Sequence, residues 1–346
     1  MALFGRKKMT VGLDIGSGLI KVAVIDHSRH EPELVRASIT PLLADAIVEG
    51  EVMDPGIVSD AIKTALASAD IKTKQVVTAV GGRDVIIKKI QIERVKEQQA
   101  RELMRWEAEQ HVPFDMESVE LDFQILDPDA DGLEMSVLLV AAKRELIESK
   151  VRILTDAGLE PVVVDVEAFA LHNAFELNHP DGMTGVVGLL NIGHDVTNIN
   201  ILDEGVPILT RDLTVGTRRF REDLQRERGL SADDAQHLIQ GYDRSPHLDA
   251  VLESRGEEIA VGMERAAAFL AQNARTRAMR TVYTSGGGAR IPGLNEWLAT
   301  RLKLTVQQAN PLANLKVRDG ALASLVTDEV APLLMLPIGL AMRQVA

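Results

Sequence analysis

The sequence predicts an α/β protein built from a duplicated two-lobe unit that carries a smaller α/β insert, and three observations predict it. Between Val11 and Val80 the apolar runs follow the order strand, strand, strand, helix, strand. The opening stretch then returns half a chain later. Val11-Gly-Leu-Asp-Ile-Gly-Ser-Gly-Leu-Ile-Lys-Val-Ala-Val-Ile25 and Gly188-Leu-Leu-Asn-Ile-Gly-His-Asp-Val-Thr-Asn-Ile-Asn-Ile-Leu202 both read strand, Asp or Asn, Ile-Gly, polar turn, strand. Finally, the pattern changes character over Arg83 to Gly158 and resumes afterwards, which marks an insert.

Taken in order, Val11 to Ile15 and Ile20 to Ile25 form a hairpin turning on Gly16-Ser17-Gly18. Glycines let successive N–H groups point at one anion, and Ser17 and Lys21 can add a hydroxyl and a charge. Helix-opening phosphate loops look different: neither GxGxxG nor GxxxxGK[ST] occurs, and a strand follows the glycines. Glu33 to Thr40 is a third strand, and Asp54-Pro55 opens a helix to about Ala69, with Asp as cap and Pro at the first position. Gln75 to Val80 is a strand ending at Gly81-Gly82. This order is that of a ribonuclease-H-like half.

The insert reads as a strand (Val85 to Ile92), a helix (Lys96 to His111) stopped by Pro113, two strands around Asp127 to Gly132, and a helix from Lys143 to Asp156. Ala100, Leu103, Met104, Ala108 and His111 share one helical face, so this helix packs on the insert's sheet, with Trp106 expected in the packing. Pro161 to Val166 is a strand and Glu167 to Leu177 a helix. The second unit gives strands at Gly185 to Asn191, Val196 to Leu202 and Val206 to Leu213. Helices follow from Gly216-Thr217 to Arg228, over Ser231 to Gln240 and over Pro246 to Arg275. Thr281 to Ser285 then runs into Gly286-Gly287-Gly288, before a helix over Leu294 to Leu302. On this reading the first lobe is 9–82, completed by 159–184 and 319–346, the insert is 83–158 and the second lobe is 185–318.

Composition narrows the function. The chain has 346 residues, 46% of them hydrophobic, enough for two cores. Its 38 Lys and Arg against 51 Asp and Glu give a net charge of −13, which argues against nucleic-acid binding. With no cysteine, and no paired-His helix motif among eight His, disulfides and protein-ligated zinc are not expected, and the cytosol is the expected compartment. No run has the length of a membrane span, and Met1 to Lys8 is too short for a signal peptide. Arg6-Lys7-Lys8 reads as a solvated basic arm.

Two glycine hairpins and a glycine turn after a late strand resemble the phosphate hairpins and adenosine loop of the actin-like ATPase superfamily, over nearly the whole chain. The resemblance implies ATP and Mg²⁺. Asp14 would hold the hydration shell of the metal, and Gly16, Ser17, Gly18 and Lys21 would contact phosphates. From the other lobe Asn191, Gly193, His194, Asp195 and Thr197 would cradle them, while Gly216, Gly286 and Gly287 would meet the nucleoside. Glu167 stands where this superfamily often orients attacking water; as the first residue of a helix it is equally a carboxylate favoured by the helix dipole. Asn191 stands where Asp is usual, which implies slow hydrolysis and an increase in turnover for Asn191→Asp.

Within the superfamily, Trp106-Glu-Ala-Glu-Gln-His-Val-Pro-Phe114, Leu121-Asp-Phe-Gln-Ile-Leu126, Val140-Ala-Ala-Lys143 and Val164-Asp-Val-Glu-Ala-Phe-Ala-Leu171 resemble the PilM family of type IV pilus assembly. That resemblance implies an FtsA-type insert subdomain and an ATP-binding scaffold. It also implies binding to the cytoplasmic tail of a PilN-like inner-membrane protein, contact with pilus motor components, and a place in the cytoplasm peripheral to the inner membrane. A filament-forming ATPase and a small-molecule kinase of the same fold remain alternatives at this level.

Overall fold

A computed structural model describes residues 9–128, 131–241, 245–271, 277–323 and 325–344; the basic arm lies outside them. The first sheet starts as a meander, because short polar turns join three strands with buried apolar residues: β1 (Met9–Ile15), β2 (Leu19–Asp26) and β3 (Glu33–Pro41). A small hairpin, β4 (Ile47–Val48) and β5 (Glu51–Val52), precedes α1 (Pro55–Ser68). Asp54 caps that helix, its carboxylate accepting the Ile57 N–H at 3.0 Å. After α1, β6 (Gln75–Val80) lies parallel to β1.

Between β6 and α3 (Arg144–Asp156), whose Ile153 and Leu154 sit in the core of the first sheet and not with the expected insert, the chain forms a separate unit of β7 (Val85–Glu93), α2 (Glu97–His111), β8 (Val119–Ile125) and β9 (Glu134–Lys143). Its antiparallel sheet has the order β7-β9-β8. Ala100, Met104 and Ala108, four residues apart, are buried against that sheet. Trp106 departs from expectation. It is 70% exposed, because two residues on from Met104 is about 200° around the helix, on the far side from the sheet.

The chain returns to the first sheet with β10 (Glu160–Val166), parallel to β6, and α4 (Glu167–Asn178). The repeat then builds β11 (Val186–Ile192), β12 (Thr197–Asp203) and β13 (Val206–Leu213), followed by α5 (Thr217–Arg228), α6 (Ala232–Gln240), α7 (Pro246–Val251) and α8 (Glu257–Ala271). The expected single helix over 246–275 is interrupted at Leu252–Gly256 by a wider π-type turn. There the Trp297 ring lies where a Cβ on Gly256 would stand, 2.8 Å from a ring carbon. Residues 272–275 of that reading fall outside the described residues.

β14 (Thr281–Ser285), α9 (Leu294–Leu302) and β15 (Thr305–Gln308) complete the second sheet. Its order is β13-β12-β11-β14-β15, and that of the first is β10-β6-β1-β2-β3, with a short strand of residues 316–317 beyond β3. The repeated hairpins thus hold corresponding central places, each with a parallel neighbour from later in the chain. β16 (Lys316–Val317) pairs with β3, and α10 (Thr327–Val330) leads to α11 (Met335–Ala341). Every residue of α11 is buried. It packs so closely on β1 and α4 that a side chain at Gly12 would run into the α11 backbone, and one at Gly339 into Ala170.

Candidate functional site

The two hairpins aim their tips into one cleft of about 1480 Å³, lined from both sheets. Gly16 and Gly193 close the tips identically. Each N–H bonds a carbonyl three residues on, Leu19 at 3.1 Å and Val196 at 2.9 Å. Among the described residues, the backbone amides of Ser17, Gly18, His194 and Asp195 find no hydrogen-bond acceptor. Unpaired donors from successive residues on facing tips suit an anion with many oxygens, such as a polyphosphate. The tips also touch: a Cβ on Gly18 would stand 2.8 Å from the His194 ring. Burial pushes the His194 imidazole below its ordinary value, with Asp195 opposing and Arg221 and Arg218 assisting.

At the base of the first hairpin Asp14 and Lys21 are directly opposed across β1 and β2 and form a buried ion pair, 2.5 Å apart. The equivalent positions of the second hairpin, Asn191 and Asn198, are opposed in the same way. There the pair is neutral, Asn191 Nδ2 donating to Asn198 Oδ1 at 3.1 Å. It belongs to a longer ladder across four adjacent strands. Ser285 Oγ donates to Asn191 Oδ1 at 3.2 Å, and Asn198 Nδ2 donates to Asp212 Oδ1 at 2.8 Å. Burial pushes the Asp212 carboxyl above the ordinary carboxylate value, while Asn198 and the nearby Gly82 N–H, from the loop between β6 and β7, oppose the rise.

Glu167 opens α4 at the end of β10 and faces the same cleft. Gly81 makes room for it, since a Cβ there would strike its carboxylate. Burial pushes the Glu167 carboxyl up to about 7, with Lys150 opposing, Asp14 and Asp212 reinforcing and Lys21 opposing. At the rim, Asp195 Oδ2 accepts the Glu49 N–H at 3.2 Å, and Arg218 pairs with Asp45 at 2.9 Å. Those contacts join the second hairpin and α5 to the loop around β4.

Of the residues singled out from sequence, Asp14, Gly16, Ser17, Gly18, Lys21, Glu167, Asn191, Gly193, His194, Asp195, Gly286 and Gly287 all line this cleft. Thr197 does not. It is fully buried, and its hydroxyl donates to the Val215 carbonyl at 2.6 Å, which anchors the tip from beneath. Gly216 is also off the surface, packed so that a Cβ would strike the His194 carbonyl; its neighbour Thr217 lines the cleft instead. Gly286, at φ 78°, takes a conformation that favours glycine, and its missing Cβ leaves space for Asn191 Oδ1. Gly287 opens onto the cleft, where a Cβ would meet nothing nearer than Thr217 at 3.7 Å.

Sequence reading did not single out Lys150, Asn198, Thr217, Asp212, Arg221 or Arg290, all of which line the cleft. Asn198 and Asp212 had a usable signal, being polar at strand positions beside the hairpin. The others come from helices or turns whose facing only the tertiary packing sets. Among the described residues no group of three or more His, Asp or Glu is placed to hold a metal directly, so a metal here would be held through water and phosphate. The donor set fits a metal–nucleotide: four unpaired amides, Lys21, and carboxylates set back from the tips.

Paired sheets closing on glycine hairpins define the actin-like ATPase fold. The ethanolamine utilization protein EutJ from Carboxydothermus hydrogenoformans shares it (TM-score 0.60, 18% identity, 96% of this chain and 89% of that one). So does MreB 5 of Spiroplasma citri, in a structure bound to AMPPNP (TM-score 0.53, 12% identity, 97% and 95%). Closer similarity is to a chain of a PilM–PilN type IV pilus biogenesis complex, with TM-score 0.84, 28% identity, and 98% of this chain and 99% of that one covered. A family profile, type IV pilus assembly protein PilM, matches residues 12–345, and the chain belongs to that family.

Proposed function

We propose that this chain is an ATP-binding scaffold of type IV pilus assembly that receives the cytoplasmic tail of a PilN-like inner-membrane protein. The observation that carries the nucleotide half is the set of unpaired amides on facing hairpin tips beside Lys21. Gly16, Ser17, Gly18 and Lys21 contact phosphates from the first lobe (9–82 with 159–184 and 319–346). Gly193, His194 and Asp195 do so from the second (185–318), with Gly286 and Gly287 against the nucleoside. Asp14 serves Mg²⁺ through water, and Glu167 orients water for slow hydrolysis. Membership of the PilM family and the likeness to a PilM–PilN complex support the pilus half. Among the described residues no helix is long and apolar enough to cross a membrane, so association with the inner membrane is assigned to the partner.

The tail's place is between the insert (83–158) and the first lobe. β8 and β10 are edge strands of their sheets, and Arg343 lies between them, pairing with Asp165 of β10 at 2.6 Å while sensing Asp122 of β8. An extended peptide can add to such an edge through its backbone, with side chains choosing the partner. Val162 and Val164 on β10 are half-buried there. Calorimetry tests both halves on the full chain. Mg-ATP should bind, and more weakly in Lys21→Ala by a larger factor than adenosine does. A synthetic PilN tail should bind wild type and Lys21→Ala alike, and lose affinity in Val162→Glu or Val164→Glu. Absence of ATP binding removes the first half, and undiminished tail binding in both valine variants removes the groove.

A further inference from the structure

The ladder across the second sheet has a direction, and the direction fixes where a negative charge can sit. Asp212 at its end can only accept, so Asn198 must turn its Nδ2 towards it. That leaves Asn198 Oδ1 facing position 191, so Asn191 must present its own Nδ2 there and its Oδ1 towards the Ser285 hydroxyl. The whole run from Ser285 to Asp212 is thereby polarised towards one carboxylate. A carboxylate at position 191 would face Asn198 Oδ1, acceptor against acceptor. Turning the Asn198 amide over would satisfy position 191 and leave Asp212 facing the same conflict. One amide cannot serve both carboxylates, so positions 191 and 212 are alternative sites for a single charge.

We propose that Asp212 is the second lobe's carboxylate towards a Mg-nucleotide, acting through metal-bound water as a positioning residue from two strands away. Its side chain lines the cleft that holds both hairpin tips and Glu167, and the ladder keeps it oriented. The inference rests on the nucleotide reading above and goes beyond it in one respect: it reverses the expectation for Asn191→Asp. Adding that carboxylate while Asp212 remains disrupts the ladder. The double variant N191D/D212N is fully satisfied with the polarity turned round. In it the amide introduced at position 212 donates to Asn198 Oδ1, while Asn198 and Ser285 both donate to the carboxylate introduced at position 191.

The test is ATP affinity with and without Mg²⁺ for wild type, D212N, N191D and N191D/D212N, with unfolding curves to confirm each fold. Mg²⁺ should tighten ATP binding to wild type. That gain should shrink on the order of tenfold in D212N, within the usual range for coupling between two ligands. It should also shrink in N191D and return in the double variant. Metal-free affinity should hold or rise in D212N, which a merely structural lesion would not produce. Full Mg²⁺ dependence in D212N overturns the assignment, as does a larger gain in N191D alone, and a double variant no better than either single one overturns the ladder argument. Wild type with no ATP affinity in either condition overturns instead the nucleotide reading on which the proposal rests.

Discussion

The two hairpins have the same backbone and opposite electrostatics. Both close on Ile-Gly, both pair residues at the same register, and both leave two amides without an acceptor on tips that line the cleft. The first buries a full ion pair, Asp14–Lys21, with side chains 7% and 14% exposed; the second substitutes two amides that pass a hydrogen bond on to Asp212. A self-contained charge pair holds one hairpin by itself, whereas the other depends on its sheet neighbours. Duplication therefore conserved the cradle and not the source of charge beside it.

The difference breaks most visibly at Lys21. Lys21→Met leaves Asp14 buried without its cation, and urea unfolding at pH 7 should show a loss of about 3–5 kcal/mol. The matching change in the second hairpin, Asn198→Leu, should cost about 1–3 kcal/mol, because neutral donors and acceptors are stranded instead of a charge. A loss at least as large as that of Lys21→Met would erase the contrast. Glu167 sharpens it along the pH axis. Its carboxyl is held at about 7 in the fold against 4.5 when exposed, so the folded state binds the extra proton between those values. Stability contributed by this group is complete below about 4.5, falls as pH rises to 7 and stays low above it. Glu167→Gln should remove that slope and raise Tm at pH 8 by about 2–4 °C for each 1 kcal/mol relieved; a wild-type slope that persists in the variant would reassign the effect. Smallest is the rim. Arg218→Ala removes its pairing with Asp45, and at that exposed site should cost under about 1 kcal/mol, most of it abolished by salt.

Legibility in the sequence followed the range of the forces involved. Local signals placed α1 through the Asp54 cap and Pro55, and the hairpins through continuous apolar runs on either side of glycine turns. The repeat of the Val11 stretch at Gly188 marks both halves of the cleft in the sequence itself. Trp106 was misplaced because a bulky aromatic at helical spacing reads as core, whereas the narrower stripe of Ala100, Met104 and Ala108 suffices to cover a three-stranded sheet. Thr197 was misread because a strand threonine beside a tip can face cleft or core, and only Val215 across the turn decides it. Asp212 was passed over since its meaning arises from neighbours on other strands. Residues 331–341 escaped assignment for a related reason: a segment buried on every side has no polar face to give it a period.

The burial of α11 against β1 has a consequence for how the molecule comes into being. The first strand leans on a helix made after the strands of both sheets, so the Gly12 surface must wait for Pro337 and Ala341 to leave the ribosome. β11 to β15 need only residues between Val186 and Gln308 to complete their sheet. The later half of the duplication can thus close first, against the usual amino-to-carboxyl order. Until α11 emerges, the nascent chain carries an uncovered apolar face on its earliest strands.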